Sequence, residues 1–245
     1  MQFANVWNKL YLRRYKVIAI AVLMLCALQI QAQKTRWVEK NNPNYDNRKL
    51  TYGFLIGIHS SIYQIKYSDK FVTPALDTVS AVLPSWSSGF SLGFIVNYRL
   101  TEFLDLRLTP EVAFYENKVR YQFTNDPPVD ETVENTIVEF PILLKYKSER
   151  RGNIRMYMVG GVKPGIEASG KKNVDQTKPT LEIKETHLNL EAGFGFDLYY
   201  PLFKFSPEIR FSRGLLNMLG NTTNEFGQPL QRVNTNTITL YLLFQ

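Results

Sequence analysis

Thirteen charged residues spaced like the members of one strand face are the candidates for chemistry in this chain. They are Arg99, Asp105, Arg107, Glu111, Glu139, Lys145, Arg155, Lys163, Glu191, Asp197, Lys204, Glu208 and Arg210. Carboxylates interleaved with lysines and arginines can relay protons, line a small channel or catalytic pocket, or lock together as a salt-bridged plug. Hydrolysis would want a histidine within reach of a serine and a carboxylate. The two histidines are His59 and His187. Ser60 and Ser61 follow His59, but adjacent strand residues point to opposite faces, so His59 and Ser60 cannot pair. No catalytic residue is assigned. Two histidines and one cysteine, Cys26, make no metal cluster. No glycine-rich loop leads from a strand into a helix, so no phosphate cradle or other cofactor site is expected.

The elements that carry these charges alternate with a period of two, which is the mark of strands. Tyr52, Phe54, Ile56 and Ile58 fall on one face, with Gly53, Gly57 and His59 on the other. The same alternation recurs seven more times, beginning near Phe90, Leu104, Val138, Ile154, Leu188, Phe203 and Ile238. Connections alternate between long (60–87, 116–135, 168–186, 213–236) and short (100–103, 147–153 and the Tyr200-Pro201-Leu202 region). Tyr52, Tyr98, Tyr146, Tyr200, Phe203 and Phe244 collect at one end of the strands, as an interfacial girdle would. These features predict an all-β fold: an eight-stranded antiparallel up-and-down transmembrane β-barrel with a short N-terminal periplasmic extension. The thirteen charges then face inward. A barrel of eight strands is just wide enough to be filled by its own side chains, which favours the plug over a channel. Pro110, Pro141, Pro164 and Pro207 fall inside the strands and are expected to mark bulges or strand ends, since proline donates nothing to a ladder.

The first 32 residues read as a separate object. Lys9, Arg13, Arg14 and Lys16 precede an apolar run from Val17 to Leu28, and Ala32 offers a small residue for cleavage. The expected organisation is a signal peptide over 1–32, a periplasmic extension over 33–49 and an outer-membrane barrel over 50–245. Without those four basic residues, the 29 basic against 22 acidic residues of the whole chain become 25 against 22, a balance of +3 that gives no reason to expect nucleic acid. Cys26 lies within the leader, so the mature chain has no thiol, as suits an oxidising envelope. Outer-membrane lipids are expected partners, and no small-molecule substrate is evident. Lys147, Arg150 and Arg151 form a basic periplasmic turn able to meet a partner or lipid phosphates.

Three stretches resemble the PorT family of Bacteroidota: Asn44–Ser61 (NYDNRKLTYGFLIGIHSS), Val138–Pro164 (VEFPILLKYKSERRGNIRMYMVGGVKP) and Glu191–Leu219 (EAGFGFDLYYPLFKFSPEIRFSRGLLNML). The resemblance implies a non-enzymatic outer-membrane component of the type IX secretion system, acting with other secretion-system proteins. Its implied role is to assist export of proteins with C-terminal sorting domains, and gliding motility where present. The alternative is a free-standing small barrel with a structural or lipid-modifying role.

Overall fold

The computed structural model describes residues 40–72, 79–124, 127–168, 181, 183–220 and 226–245. The leader and residues 33–39 of the extension lie outside the described residues. Eleven strands form one antiparallel sheet: β1 (Leu50–Tyr67), β2 (Val79–Ser85), β3 (Ser87–Arg99), β4 (Leu104–Leu108), β5 (Glu111–Phe123), β6 (Val129–Glu139), β7 (Ile142–Lys147), β8 (Ile154–Glu167), β9 (Thr186–Tyr199), β10 (Lys204–Gly214) and β11 (Leu230–Phe244). β2 leads into β3 through Trp86, β4 into β5 through Thr109 and Pro110, and β6 into β7 through Phe140 and Pro141. Eight staves result. β1 pairs with β3 on one side and β11 on the other, so the staves form a ring.

The register fixes how steeply the staves lean. Leu50 pairs with Tyr98, and the line of partners runs on through Leu106, Leu144, Gly160, Ala192, Phe211 and Ile238. It returns to β1 at Ser60, ten residues above its start. That stagger tilts every strand, as closure of a small barrel requires.

The prolines leave the ladder in register. Leu108 pairs with Ile142 and Glu111 with Glu139, so no residue is gained or lost across Pro110 and Pro141. The carbonyls of Pro110, Pro141 and Pro164 accept hydrogen bonds from the amides of Phe94, Thr109 and Phe140 (2.9, 3.0 and 2.9 Å). Pro110 and Pro141 thus end named strands, whereas Pro164 and Pro207 sit within β8 and β10. A proline with its missing donor on the unpaired side removes little from a ladder. The register shifts lie elsewhere, between Lys66 and Tyr67, between Val79 and Ala81, and at Trp86 between β2 and β3.

Outward positions around the ring are apolar and bare: Tyr52, Phe94, Met158 and Phe194 are 64, 69, 66 and 53 % exposed. So continuous an apolar surface marks contact with lipid. The outward run of β8, from Ile154 to Ile166, exceeds the roughly 9–11 residues that a tilted strand needs to cross a bilayer. Phe54 and Phe205 both pack on Phe244 at the short-turn end, where chain ends and tight turns face the periplasm in such barrels.

Beyond the lipid band the pattern reverses. On β5 the outward residues change from Val112 and Phe114 to Lys118, Arg120 and Gln122, while the inward ones change from Glu111 to Val119 and Tyr121. On β1, Gln64 and Lys66 face out and Tyr63 is buried. Tyr63, Val82, Val119, Tyr121, Leu219, Phe226, Leu230 and Val233 form an apolar cap over the outer end of the lumen. Segments expected as long loops are therefore strands over much of their length: β1 runs to Tyr67, β2 lies wholly within one of them, β5 reaches Phe123 and β11 begins at Leu230. A strand in water keeps its period of two but hides its apolar face. Arg120 and Asp130 pair across the outer face of this extension, and the arginine's hydrogen bond holds the exposed carboxyl of Asp130 below its ordinary pKa. Such surface pairs add little stability.

Candidate functional site

Each stave delivers its charges to the lumen by parity. Asp105, Arg107, Glu111, Glu139, Lys145, Arg155, Lys163, Glu191, Asp197, Lys204, Glu208 and Arg210 are all buried, most with less than 2 % exposure. Arg99 is half-buried at the periplasmic mouth. In an apolar-walled lumen such charges persist only with partners.

Those partners run through the lumen as one chain. Nearest the outer cap, Lys163 reaches Glu139 at 2.9 Å and Glu191 at 3.4 Å, and the hydroxyl of Tyr115 donates to Glu139 at 3.1 Å. Arg210 bridges Glu191 (3.5 Å) and Glu208. Glu208 also accepts from Arg107 at 2.6 Å, and the Nε of Arg107 donates to Asn97 at 2.7 Å. The Tyr157 ring then lies between Arg107 and Lys145, 5.3 and 3.7 Å from its centroid. Lys145 donates to both oxygens of Asp197 at 2.6 and 2.8 Å, and Ser206 adds a third bond at 2.6 Å. Glu111 has no ion pair among the described residues; it accepts from the Tyr241 hydroxyl at 2.8 Å. Glycines make room for these rings. A Cβ on Gly195 would lie 2.6 Å from the Tyr157 hydroxyl, and one on Gly57 2.8 Å from the Tyr241 ring.

The periplasmic mouth is closed by the described part of the extension. Tyr45–Asn47 form a short 3-10 turn, and Tyr45 is buried edge-on against Tyr199. Asp46 accepts from Arg155 at 3.0 Å and from the Tyr199 hydroxyl at 2.9 Å, with Arg150 at 3.4 Å. This changes the basic turn. Lys147 is the last residue of β7; its side chain points into the barrel and pairs with Asp105 at 2.6 Å. Arg150 lies over the Tyr199 ring, 3.7 Å from its centroid, and donates to the carbonyl of Asn41. Of the three, only Arg151 stands exposed.

His59 faces the lumen and packs against Tyr115 at a tilt, with centroids 4.3 Å apart, while Ser60 faces outward. The Ser61 hydroxyl donates to Asn117 at 2.8 Å. His187 lies elsewhere, in a polar pocket beneath the cap. No serine–histidine–carboxylate relay is assembled among the described residues. Sequence reasoning missed the tyrosines of the network. Tyr115, Tyr157, Tyr199 and Tyr241 share parity with Glu111, Arg155, Asp197 and Thr239 on their own strands, a signal that was present in the spacing.

A lumen filled with paired charge, an apolar belt outside it and short turns at one end are the anatomy of a small outer-membrane barrel, and the model of the outer membrane protein beta-barrel domain matches residues 31–220. The chain belongs to that family. Members are placed in the outer membrane by that description, and so is this barrel. Among solved structures it is similar to the outer membrane protein OprG from Pseudomonas aeruginosa (11 % identity, TM-score 0.48, covering 80 % of this chain and 95 % of that one). It is also similar to Neisserial surface protein A (13 % identity, TM-score 0.39, 80 and 98 % covered) and to the outer membrane enzyme PagL (12 % identity, TM-score 0.31, 76 and 97 % covered). No curated protein matches the chain.

Proposed function

We propose that this family member is a non-enzymatic component of the type IX secretion system that assists export of proteins with C-terminal sorting domains, and gliding motility in cells that glide. The resemblance of Asn44–Ser61, Val138–Pro164 and Glu191–Leu219 to the PorT family supports the system. The filled lumen carries the mechanistic half of the reading. A polypeptide cannot thread an eight-stranded ring in which Arg107, Arg210, Lys145 and Lys163 are buried and the outer end is capped by Tyr121, Leu230 and Val233. The barrel therefore acts beside the export route.

Its working surfaces in this reading are the lipid band, set among outer-membrane lipids, and the periplasmic turns, where other secretion proteins would meet it. Arg151 and Leu202, the latter 92 % exposed at the tip of the β9–β10 turn, are among the side chains those turns leave open. Deleting the gene should leave sorting-domain cargo trapped in the periplasm, read by fractionation and immunoblot. Normal cargo secretion in the deletion strain would reject the assignment. Replacing Arg151 and Leu202 together should reduce the other secretion components recovered with the barrel from gently solubilised membranes.

A further inference from the structure

We infer that the periplasmic mouth holds a binding site for a single oxyanion, of the size and charge of a phosphate group. Behind the turn formed by Tyr45–Asn47 lies a small polar pocket that opens to solvent. Six of its lining residues are basic (Arg48, Lys49, Arg99, Lys147, Arg155 and Lys204), against three acidic ones. All three carboxylates are already engaged. Asp105 is held by Lys147 at 2.6 Å, Asp46 by Arg155 at 3.0 Å, and Asp197 by Lys145 and Ser206, each at 2.6 Å.

What remains is cationic. Lys204 is 4 % exposed, yet its ammonium lies 3.8 Å from an Asp197 oxygen that Ser206 and Lys145 already occupy, and otherwise rests over the Tyr45 ring at 4.7 Å. Arg155 is 9 % exposed and its Nε has no acceptor. Arg99 spends its guanidinium on the backbone carbonyls of Thr101 and Asp46, and meets no carboxylate among the described residues. Arg48 and Lys49 stand exposed at the entrance. A buried cation without a full counter-charge is costly, and ionised donors bind oxyanions more strongly than neutral ones do. Deeper in the lumen, by contrast, each cation has its carboxylate. Among the described luminal residues the excess lies at this periplasmic cavity.

The chemistry admits two sources, a phosphate carried by a soluble molecule or the headgroup of an anionic phospholipid. Full-length protein in a neutral detergent should show an unfolding midpoint that rises with inorganic phosphate over chloride of equal ionic strength, by about 3 °C at ten times the dissociation constant. Lys49→Gln/Lys204→Gln should abolish that rise, and Lys118→Gln on the outer hairpin should keep it. If the double variant fails to fold in chloride, Lys49→Gln alone, an exposed position, should weaken the apparent phosphate affinity several-fold. A parallel arm compares phosphatidylcholine vesicles with and without phosphatidylglycerol. A shift seen only with phosphatidylglycerol, and lost in the variants, assigns the site to a lipid headgroup. No shift in either arm, or an equal shift in the variants, overturns the site. None of these outcomes depends on the secretion role.

Discussion

Removing Glu208 should damage the barrel more than removing Arg107, although the two form a single ion pair. Glu208 sits between two guanidinium groups that are both fully buried, those of Arg107 (2.6 Å) and Arg210. In Glu208→Ala, Arg210 falls back on Glu191 at 3.5 Å, while Arg107 keeps only the Asn97 side-chain Oδ1 and the Tyr157 ring. Leaving a buried charge in that state costs about 3–5 kcal/mol. In Arg107→Ala, Glu208 keeps Arg210, and the loss is that of a buried hydrogen-bonding group, about 1–3 kcal/mol. Removing both charges with apolar residues of similar bulk, Arg107→Met/Glu208→Leu, should restore much of the loss, because no orphan remains. Urea unfolding in phospholipid vesicles, followed by tryptophan fluorescence and by the heat-dependent gel mobility of the folded barrel, gives all three values. A cost for Glu208→Ala no greater than that for Arg107→Ala, or a double variant worse than Glu208→Ala alone, would refute this sharing of charge.

Other perturbations address other parts of the fold. Met158→Arg places a charge on a bare outward position of β8 and should cost about 2–4 kcal/mol in the same vesicle assay; a neutral result would mean that this face does not meet lipid. Val119→Asp buries an unpaired carboxylate in the outer cap, at a cost of several kcal/mol. Protease should then cut the β5–β6 hairpin while the lipid-embedded staves resist, whereas unchanged digestion would contradict the inverted packing. Asp46→Asn removes the charge that Arg155 and Arg150 share, so amide exchange at residues 45–48 should accelerate about tenfold or more. Unchanged exchange there would show that Tyr45 alone holds the turn in place.

The membrane half of this barrel was legible in the sequence because lipid imposes one rule on every stave: apolar side chains at one parity, everything else at the other. Phe90, Leu92 and Phe94 against Ser91 and Gly93 announce both the strand and the direction in which it faces. The outer half obeys the opposite rule, and its strands read as loops in the sequence. Val119 and Tyr121 between Lys118, Arg120 and Gln122 form as regular an alternation as any in the band. Its phase inverts near Tyr115–Asn117, and nothing local to those residues says where the bilayer ends. The inward charges were readable from parity, whereas their pairing was not. Lys163 meets Glu139 and Glu191 from two different staves, and Arg107 meets Glu208 from across the ring, contacts fixed by a stagger of ten residues that no single strand contains. Lys147 illustrates the limit at the turns. Its place in a basic run suggested an exposed contact, but the run begins one residue inside β7, and parity sends Lys147 inward to Asp105.

The claim on which the rest depends is that the lumen is closed, by paired charge through the lipid band and by an apolar cap above it. Planar-bilayer recording of the purified full-length barrel tests it most directly. No stable open level should appear at neutral pH, in the wild type or after loosening the mouth with Asp46→Asn, because the chain from Lys163 to Asp197 still fills the ring. A stable, large conductance in the wild-type protein would contradict the plug, and with it the placement of this barrel beside the export route.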